Sequence, residues 1–269
     1  SMSLLAGAAL VLVSWGALVL VLLGWGLPAS LLSTPNGSRA TITRRALWFG
    51  LVIGSAFVLV LSLVVPLAAP IATWLLAGSS AIGWVLALLL SRQRTWRPAR
   101  HRNRPRFLAV LSIALVSTVI VLAFAVLGPV TNYDTGLYHL GAIAYGRDFA
   151  AVTGLSNLYG PLGYATLEFA WASALAGTPL ADNGFRLLNG FLMVLLAIEL
   201  LLRWRGVRRV GDYVLLVSVV AIWGPMLGMA DFWIASPTQD AAALVLSLAL
   251  MAYFVDAIAG RPGWRTDAW

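Results

Sequence analysis

A chain of 269 residues that is 61% hydrophobic and only 10% charged does not read as a water-soluble domain, in which about 25% of residues are charged. All 18 basic residues are Arg and the net charge is +8, but the arginines fall in short clusters between apolar runs, which argues against a nucleic-acid partner and for a polytopic membrane protein. The absence of cysteine excludes a disulfide, a thiolate metal site and a cysteine nucleophile.

Apolar stretches of about twenty residues predict seven spans in an all-α transmembrane bundle. The first runs from Leu4 to Trp25 and ends at Pro28. A loop with Arg39, Arg44 and Arg45 leads to a second span, Ala46 to Val65, and a tight uncharged turn over 66–70 leads to a third, Ile71 to Leu90. A loop over 91–106 with seven arginines follows, then a fourth span from Phe107 to Leu127. The chain therefore divides into an N-terminal part, 1–106, and a second region, 107–269. A fifth span, Leu187 to Leu202, runs into Arg203, Arg205, Arg208 and Arg209. The sixth covers Tyr213 to Met229, the seventh Ala241 to Val255, and a tail follows with Arg261 and Arg265. The positive-inside bias puts the arginine loops in the cytoplasm, giving an N-out, C-in chain with residues 131–183 as a long extracytoplasmic loop.

That loop is predicted to be structured. Residues 135–149 suit one short helix. In 162–178, Tyr164, Leu167, Trp171 and Leu175 recur at helical spacing with Thr166 and Ser173 opposite, as in a helix lying in the membrane interface. The alternative, a span over 162–178, sets Glu168 in mid-bilayer.

The loop opens with Tyr133, Asp134, Thr135, Gly136, Leu137, Tyr138 and His139, and continues through Gly154-Leu155-Ser156-Asn157-Leu158-Tyr159-Gly160-Pro161. No acidic residue precedes Asp134. Placed where a span meets water, Asp134 is either a helix N-cap or a general base for an acceptor hydroxyl. His139 shares a helical face with Ile143 and Arg147, as a phosphate or proton ligand or as a packing residue. Arg147 and Arg186 are the arginines on the outer side, and a guanidinium grips phosphate in a bidentate manner, whether on a dedicated ligand or on ordinary lipid headgroups. Asp148, Glu168, Asp182, Asp231 and Asp240 are also outer, mostly as solvated loop residues; Asp240, after Ser236-Pro237, is a cap or a second site carboxylate. Glu199, the one carboxylate inside a span, can pair with Arg203 one turn on. One outer histidine among scattered acids has no metal-ligand spacing, so no cofactor is called for, although a divalent metal stays open. No P-loop or G-x-G-x-x-G motif supports a nucleotide-sugar domain.

An apolar span followed by an outer loop that opens on aspartate resembles the GT-C fold of integral-membrane glycosyltransferases. The YDTGLYH stretch, the GL-x-NL-Y-G-x-LG stretch and Ser236-Pro237-Thr238-Gln239-Asp240 are together similar to a bacterial multi-span membrane family, over residues 107–258. The resemblance implies a cytoplasmic (inner) membrane enzyme of the cell envelope that takes sugar from a polyprenyl-phosphate donor at the outer face. Asp134 would be its base, with Tyr133, Tyr138, His139, Arg147, Asn157, Tyr159, Arg186 and Asp240 around the substrate. Fewer spans follow Phe107 than in a usual GT-C module, so the chain is expected to be the front part of a longer protein. The runner-up is a non-catalytic module that binds a lipid-linked glycan or scaffolds an envelope-polymer assembly with a membrane-protein partner.

The topology is testable directly. Cysteines introduced at Thr95 and Ser156 should label from opposite sides of the membrane, and labelling from one side would place Asp134 in the wrong compartment.

Overall fold

The computed structural model describes residues 3–35, 37–92, 94, 105–163, 166–176, 180–204 and 209–259. Helices α1 (Leu4–Ser33), α2 (Arg39–Ser62), α3 (Pro70–Arg92) and α4 (Pro105–Ala125) come first. A π-helical turn (Thr135–His139) runs directly into α5 (Leu140–Asp148), and α6 (Leu155–Leu158) and α7 (Leu167–Leu175) follow. The remainder is α8 (Leu187–Trp204), α9 (Val210–Gly228), α10 (Ala230–Trp233) and α11 (Gln239–Ala259), with no strand among the described residues. Helices α1, α2, α3, α4, α8, α9 and α11 are long and apolar enough to cross a membrane, which makes this a multi-pass membrane protein. Most of the 91–106 loop, Arg205, Arg208, Tyr164 and the tail from residue 260 lie outside the described residues.

In lipid there is little hydrophobic drive between helices, so association rests on close packing and polar contacts. The α1–α2–α3 unit shows this at its glycines. A Cβ on Gly26 would lie 1.8 Å from the Ala46 carbonyl oxygen of α2, and one on Gly83 of α3 would lie 2.0 Å from that of Gly24. Only the missing side chains let these backbones meet. Pro28 does not end the first helix, which continues to Ser33. A proline removes the N–H that Gly24 would otherwise receive, and the freed Gly24 carbonyl lies where α3 presents Gly83. Tertiary contact thus covers the defect.

Helix α8 is the axis of the bundle. Its sequence is apolar apart from Asn189, Glu199 and Arg203, and most of its length is buried, polar residues included, as in a helix surrounded by protein. By contrast α3 and α4 keep large apolar side chains outward, such as Trp74 at 75% and Ile113 at 66% exposure, as lipid-facing helices should. Trp15 of α1 fixes the start of α8 by donating its indole N–H to the Leu187 carbonyl at 2.9 Å.

At the arginine end, a buried ionic network ties four helices. The expected pair is present, with Arg203 Nε donating to Glu199 Oε1 at 2.5 Å. Arg44 also reaches Glu199 Oε1 at 2.7 Å, and the Trp48 indole donates to Oε2 at 3.0 Å. Arg44 is therefore no loop residue. It sits in α2 and is 9% exposed, because a carboxylate on α8 draws it inward. Arg203 further meets Asp212 of α9 at 3.0 Å and Asp256 of α11 at 2.6 Å. Both guanidinium groups stack on the Tyr253 ring, at 4.9 and 4.6 Å. Breaking a buried pair strands uncompensated charge, which costs about 3–5 kcal/mol. Arg203→Met, which keeps the volume, should therefore lower thermal stability in detergent by that order. An unchanged melting curve would show the network to be incidental.

Candidate functional site

At the opposite end of the bundle the chain between α4 and α8 folds into a compact cap. Its first helical turn begins at Asn132, whose side-chain oxygen accepts the Asp134 N–H at 3.0 Å. This replaces the expected cap. Asp134 makes no capping hydrogen bond, because Asn132 already holds the start of the helix and is itself buried. The Asp134 carboxylate is half-exposed and has no hydrogen bond or ion pair with a described residue. Next comes the π-helical turn, in which the Leu140 N–H reaches back to the Thr135 carbonyl. Such turns shift the register of a helix and recur at functional sites.

Helix α7 is not the one-faced amphipathic helix expected, because protein buries it on several sides. Thr166 caps it, accepting the Phe169 N–H at 3.3 Å. At nine residues it is about 14 Å long, too short to be a span. Trp171 and Leu175 are buried as expected, but so are Glu168, Phe169, Ala172 and Ser173, while Leu167 is 39% exposed. The reason is three-sided packing. The Trp171 indole donates to Ser55 of α2 at 3.0 Å, and the Ser173 hydroxyl lies 2.9 Å from the Ile143 carbonyl of α5. On the third side, Gly184 approaches the Leu175 carbonyl so closely that a Cβ there would lie 2.1 Å from it.

Helices α5 and α7 wall an open cavity of about 730 Å³. Tyr133, Thr135 and Gly136 line it from the first turn, Ile143 and Arg147 from α5, and Arg186 from the segment before α8. Arg147 is paired in bidentate fashion with Asp148, at 2.8 and 2.7 Å, and it draws the Asp148 carboxyl below its usual range. Arg186 donates from Nη1 to the carbonyls of Val126 and Gly128, at 3.2 and 2.5 Å, just past the end of α4. Its Nε reaches the Asn183 side chain at 3.2 Å. No described residue receives a hydrogen bond from its Nη2 group.

A second cluster lies on the far side of the π-helical turn. His139 is buried, its ring 5.1 Å from Phe169, and Tyr138 packs edge-on to both. Burial lowers the His139 pKa, partly opposed by the fields of Asp134 and Asp240. The imidazole is therefore neutral at pH 7. His139 Nδ1 lies 3.5 Å from Thr135 Oγ1, which in turn lies 2.6 Å from Ser236 Oγ. The segment 233–238 is held by Asn189 at the start of α8, whose amide donates to the Trp233, Ser236 and Thr238 carbonyls at 3.1, 2.8 and 3.0 Å. Glu168 is 6% exposed, and neither carboxylate oxygen has a partner among the described residues. Desolvation first, and then Asp240, push its pKa up to about 8.

The comparisons with known proteins add one finding. A family model described as a domain of unknown function, DUF8201, matches residues 9–266. The chain belongs to that family. No curated protein and no solved structure matches it.

In this DUF8201 member the expected site residues therefore separate into groups. Tyr133, Arg147 and Arg186 share the cavity. Asp134, His139 and Asp240 form the second cluster, where Asp240 is exposed in the first turn of α11. Asn157 and Tyr159 join neither, being exposed in and after α6. No three His, Asp or Glu side chains among the described residues are placed to hold a metal. Sequence reasoning missed the capping role of Asn132, passed over Asn189 and placed Glu168 among solvated acids. The signal for two of these was present: a lone Glu or Asn inside an apolar run implies a polar role. Losing an Asn cap costs about 1 kcal/mol. Asn132→Ala should lower stability by that order in a detergent melt, whereas Asp134→Ala should leave the melt unchanged. The reverse ranking would return the cap to Asp134.

Proposed function

We propose that the protein is an integral-membrane glycosyltransferase that uses a polyprenyl-phosphate-linked sugar at the extracytoplasmic face of a bacterial cytoplasmic membrane. The observation that carries this reading is the half-exposed Asp134 carboxylate, without a hydrogen bond or ion pair to a described residue, on the turn that borders a cavity lined by two arginines; Asp134 itself belongs to the second cluster and does not line that cavity. Tyr133 and Thr135, its immediate neighbours, do line the cavity, and an apolar span followed by a loop that opens on aspartate resembles the GT-C fold of membrane glycosyltransferases. The lipid-linked donor carries an anionic phosphate, which suits Arg186 and Arg147. In the proposed step Asp134 takes the proton of an acceptor hydroxyl, and the oxygen attacks the anomeric carbon of the donor sugar. The bond from that carbon to the phosphate oxygen breaks, and polyprenyl phosphate leaves with the negative charge. The arginines hold that charge as it develops.

The runner-up, a non-catalytic module that binds lipid-linked glycan, draws on the commitments of the same arginines. Arg147 is engaged by Asp148 and Arg186 by two carbonyls, so each holds structure first and meets a ligand only by sharing those hydrogen bonds. Transfer assays separate the two readings. Asp134→Asn should fold with an unchanged melt and lose transfer by about 10²–10⁴. Full transfer by the Asn variant removes the catalytic residue. Donor binding without transfer in the wild-type, full-length protein leaves the binding module.

A further inference from the structure

We propose that Glu168 is a proton-binding site, and that the proton it holds is a condition for binding an anionic phosphate in the neighbouring cavity. The second half rests on the phosphate-ligand reading above; the first half does not. Three observations carry it. Glu168 is 6% exposed and neither of its oxygens has a partner among the described residues, and an ionised carboxylate left so is among the most unfavourable groups a protein can bury. It lies one turn before Ala172 and two before Ala176 on a single stripe of α7 and its end, and both alanines line the 730 Å³ cavity. Finally, a third acceptor without a donor, Asn189 Oδ1, is buried at the start of α8, a helix against which α7 packs.

The charges around Glu168 do not neutralise it. From the π-helical turn and the residue before it come His139, held neutral by burial, and Asp134. Asp240 of α11 is felt as a like charge. On α5 stand Arg147 and Asp148, engaged with each other, and before α8 stands Arg186, held by carbonyl oxygens. The arginines of α2 (Arg39, Arg44, Arg45) and Glu199 and Arg203 of α8 belong to the other end of those helices. A proton on Glu168 is the remaining means of removing its charge. An ionised Glu168 one turn from the cavity would repel a phosphate, so binding favours protonation and protonation favours binding, in equal measure.

The sign follows. The Glu168 carboxyl loses its proton near pH 4.5 when exposed and at about 8 in the fold. The stability this raised pKa gives is fully present below about pH 4.5, declines as pH rises from there and is gone above about 8. Phosphate binding, which needs the proton in the folded chain, should weaken above about 8.

The test uses the full chain in lipid nanodiscs with polyprenyl-phosphoryl glucose as the probe, a phosphodiester that keeps one negative charge throughout. Infrared difference spectra should show a protonated-carboxyl band at pH 7 that fades through about pH 8 and is missing in Glu168→Gln. Affinity for the probe should fall by up to about tenfold per pH unit above that midpoint, and be flat with pH in Glu168→Gln. If the Gln variant does not fold, Asp240→Asn carries the test, because removing the like charge should move the band's midpoint to lower pH. A missing band, or one that persists in Glu168→Gln, overturns the proton site. Probe affinity that is flat with pH while the wild-type band titrates overturns the coupling. A titrating band with no probe binding at any pH overturns the phosphate-ligand reading instead and leaves the proton site standing.

Discussion

The arrangement of this bundle depends on the Glu199 carboxylate and the two guanidinium groups that enclose it. Charges within a membrane-spanning bundle are tolerated when paired with each other, and here the pairing joins residues far apart in sequence. Arg44 arrives from α2, Asp212 from α9 and Asp256 from α11, all meeting Glu199 or Arg203 on α8. Because hydrophobic burial cannot distinguish one helix neighbour from another in lipid, such contacts supply direction. They set α9 and α11 against α8 at the arginine end, and α2 against its other side. A buried ion pair is weak evidence of net stability; its value here is that few alternative packings would satisfy all five charges.

The two ends of α8 leave different polar groups without a described partner, a donor (Arg203 Nη2) at the arginine end and acceptors at the other. At the arginine end every carboxylate of the network meets a guanidinium or a backbone N–H. At the other end the Asn189 amide donates to three carbonyls, while neither its oxygen nor the Glu168 carboxylate has a partner among the described residues. Hydroxyls of Thr135 and Ser236 bridge the π-helical turn to the segment before α11, so the groups that lack partners are nonetheless held in place. Rigid support around unsatisfied polar atoms is the arrangement expected where a protein binds something it does not itself contain.

The cap between α4 and α8 also explains how a short helix can be buried without crossing the membrane. Leu67 and Ala68, in the turn between α2 and α3, donate their N–H groups to the carbonyls of Gly146 and Arg147 at 3.0 and 3.3 Å. The end of α5 is thereby satisfied by a loop that the sequence presents as featureless. Ser173 beside Gly146 then lets α7 close on α5, and Gly54 beside Trp171 lets it close on α2.

By itself the sequence determined that this is an all-α membrane bundle, where its seven spans lie, and that Glu199 pairs with Arg203. Those properties are local: span length, composition and one helical turn of spacing. Only the tertiary structure decided that α1 runs through Pro28, that Arg44 turns into the bundle and that Asn132 rather than Asp134 caps the outer helix. It also decided that α7 is buried on several faces with Glu168 inside. Apart from the Asn132 cap, which lies two residues from Asp134, these depend on contacts from distant parts of the chain, such as Gly83, Glu199 or Ser55. Periodicity reports which face of a helix is apolar. It does not report what covers that face, and in a membrane protein lipid and protein read alike.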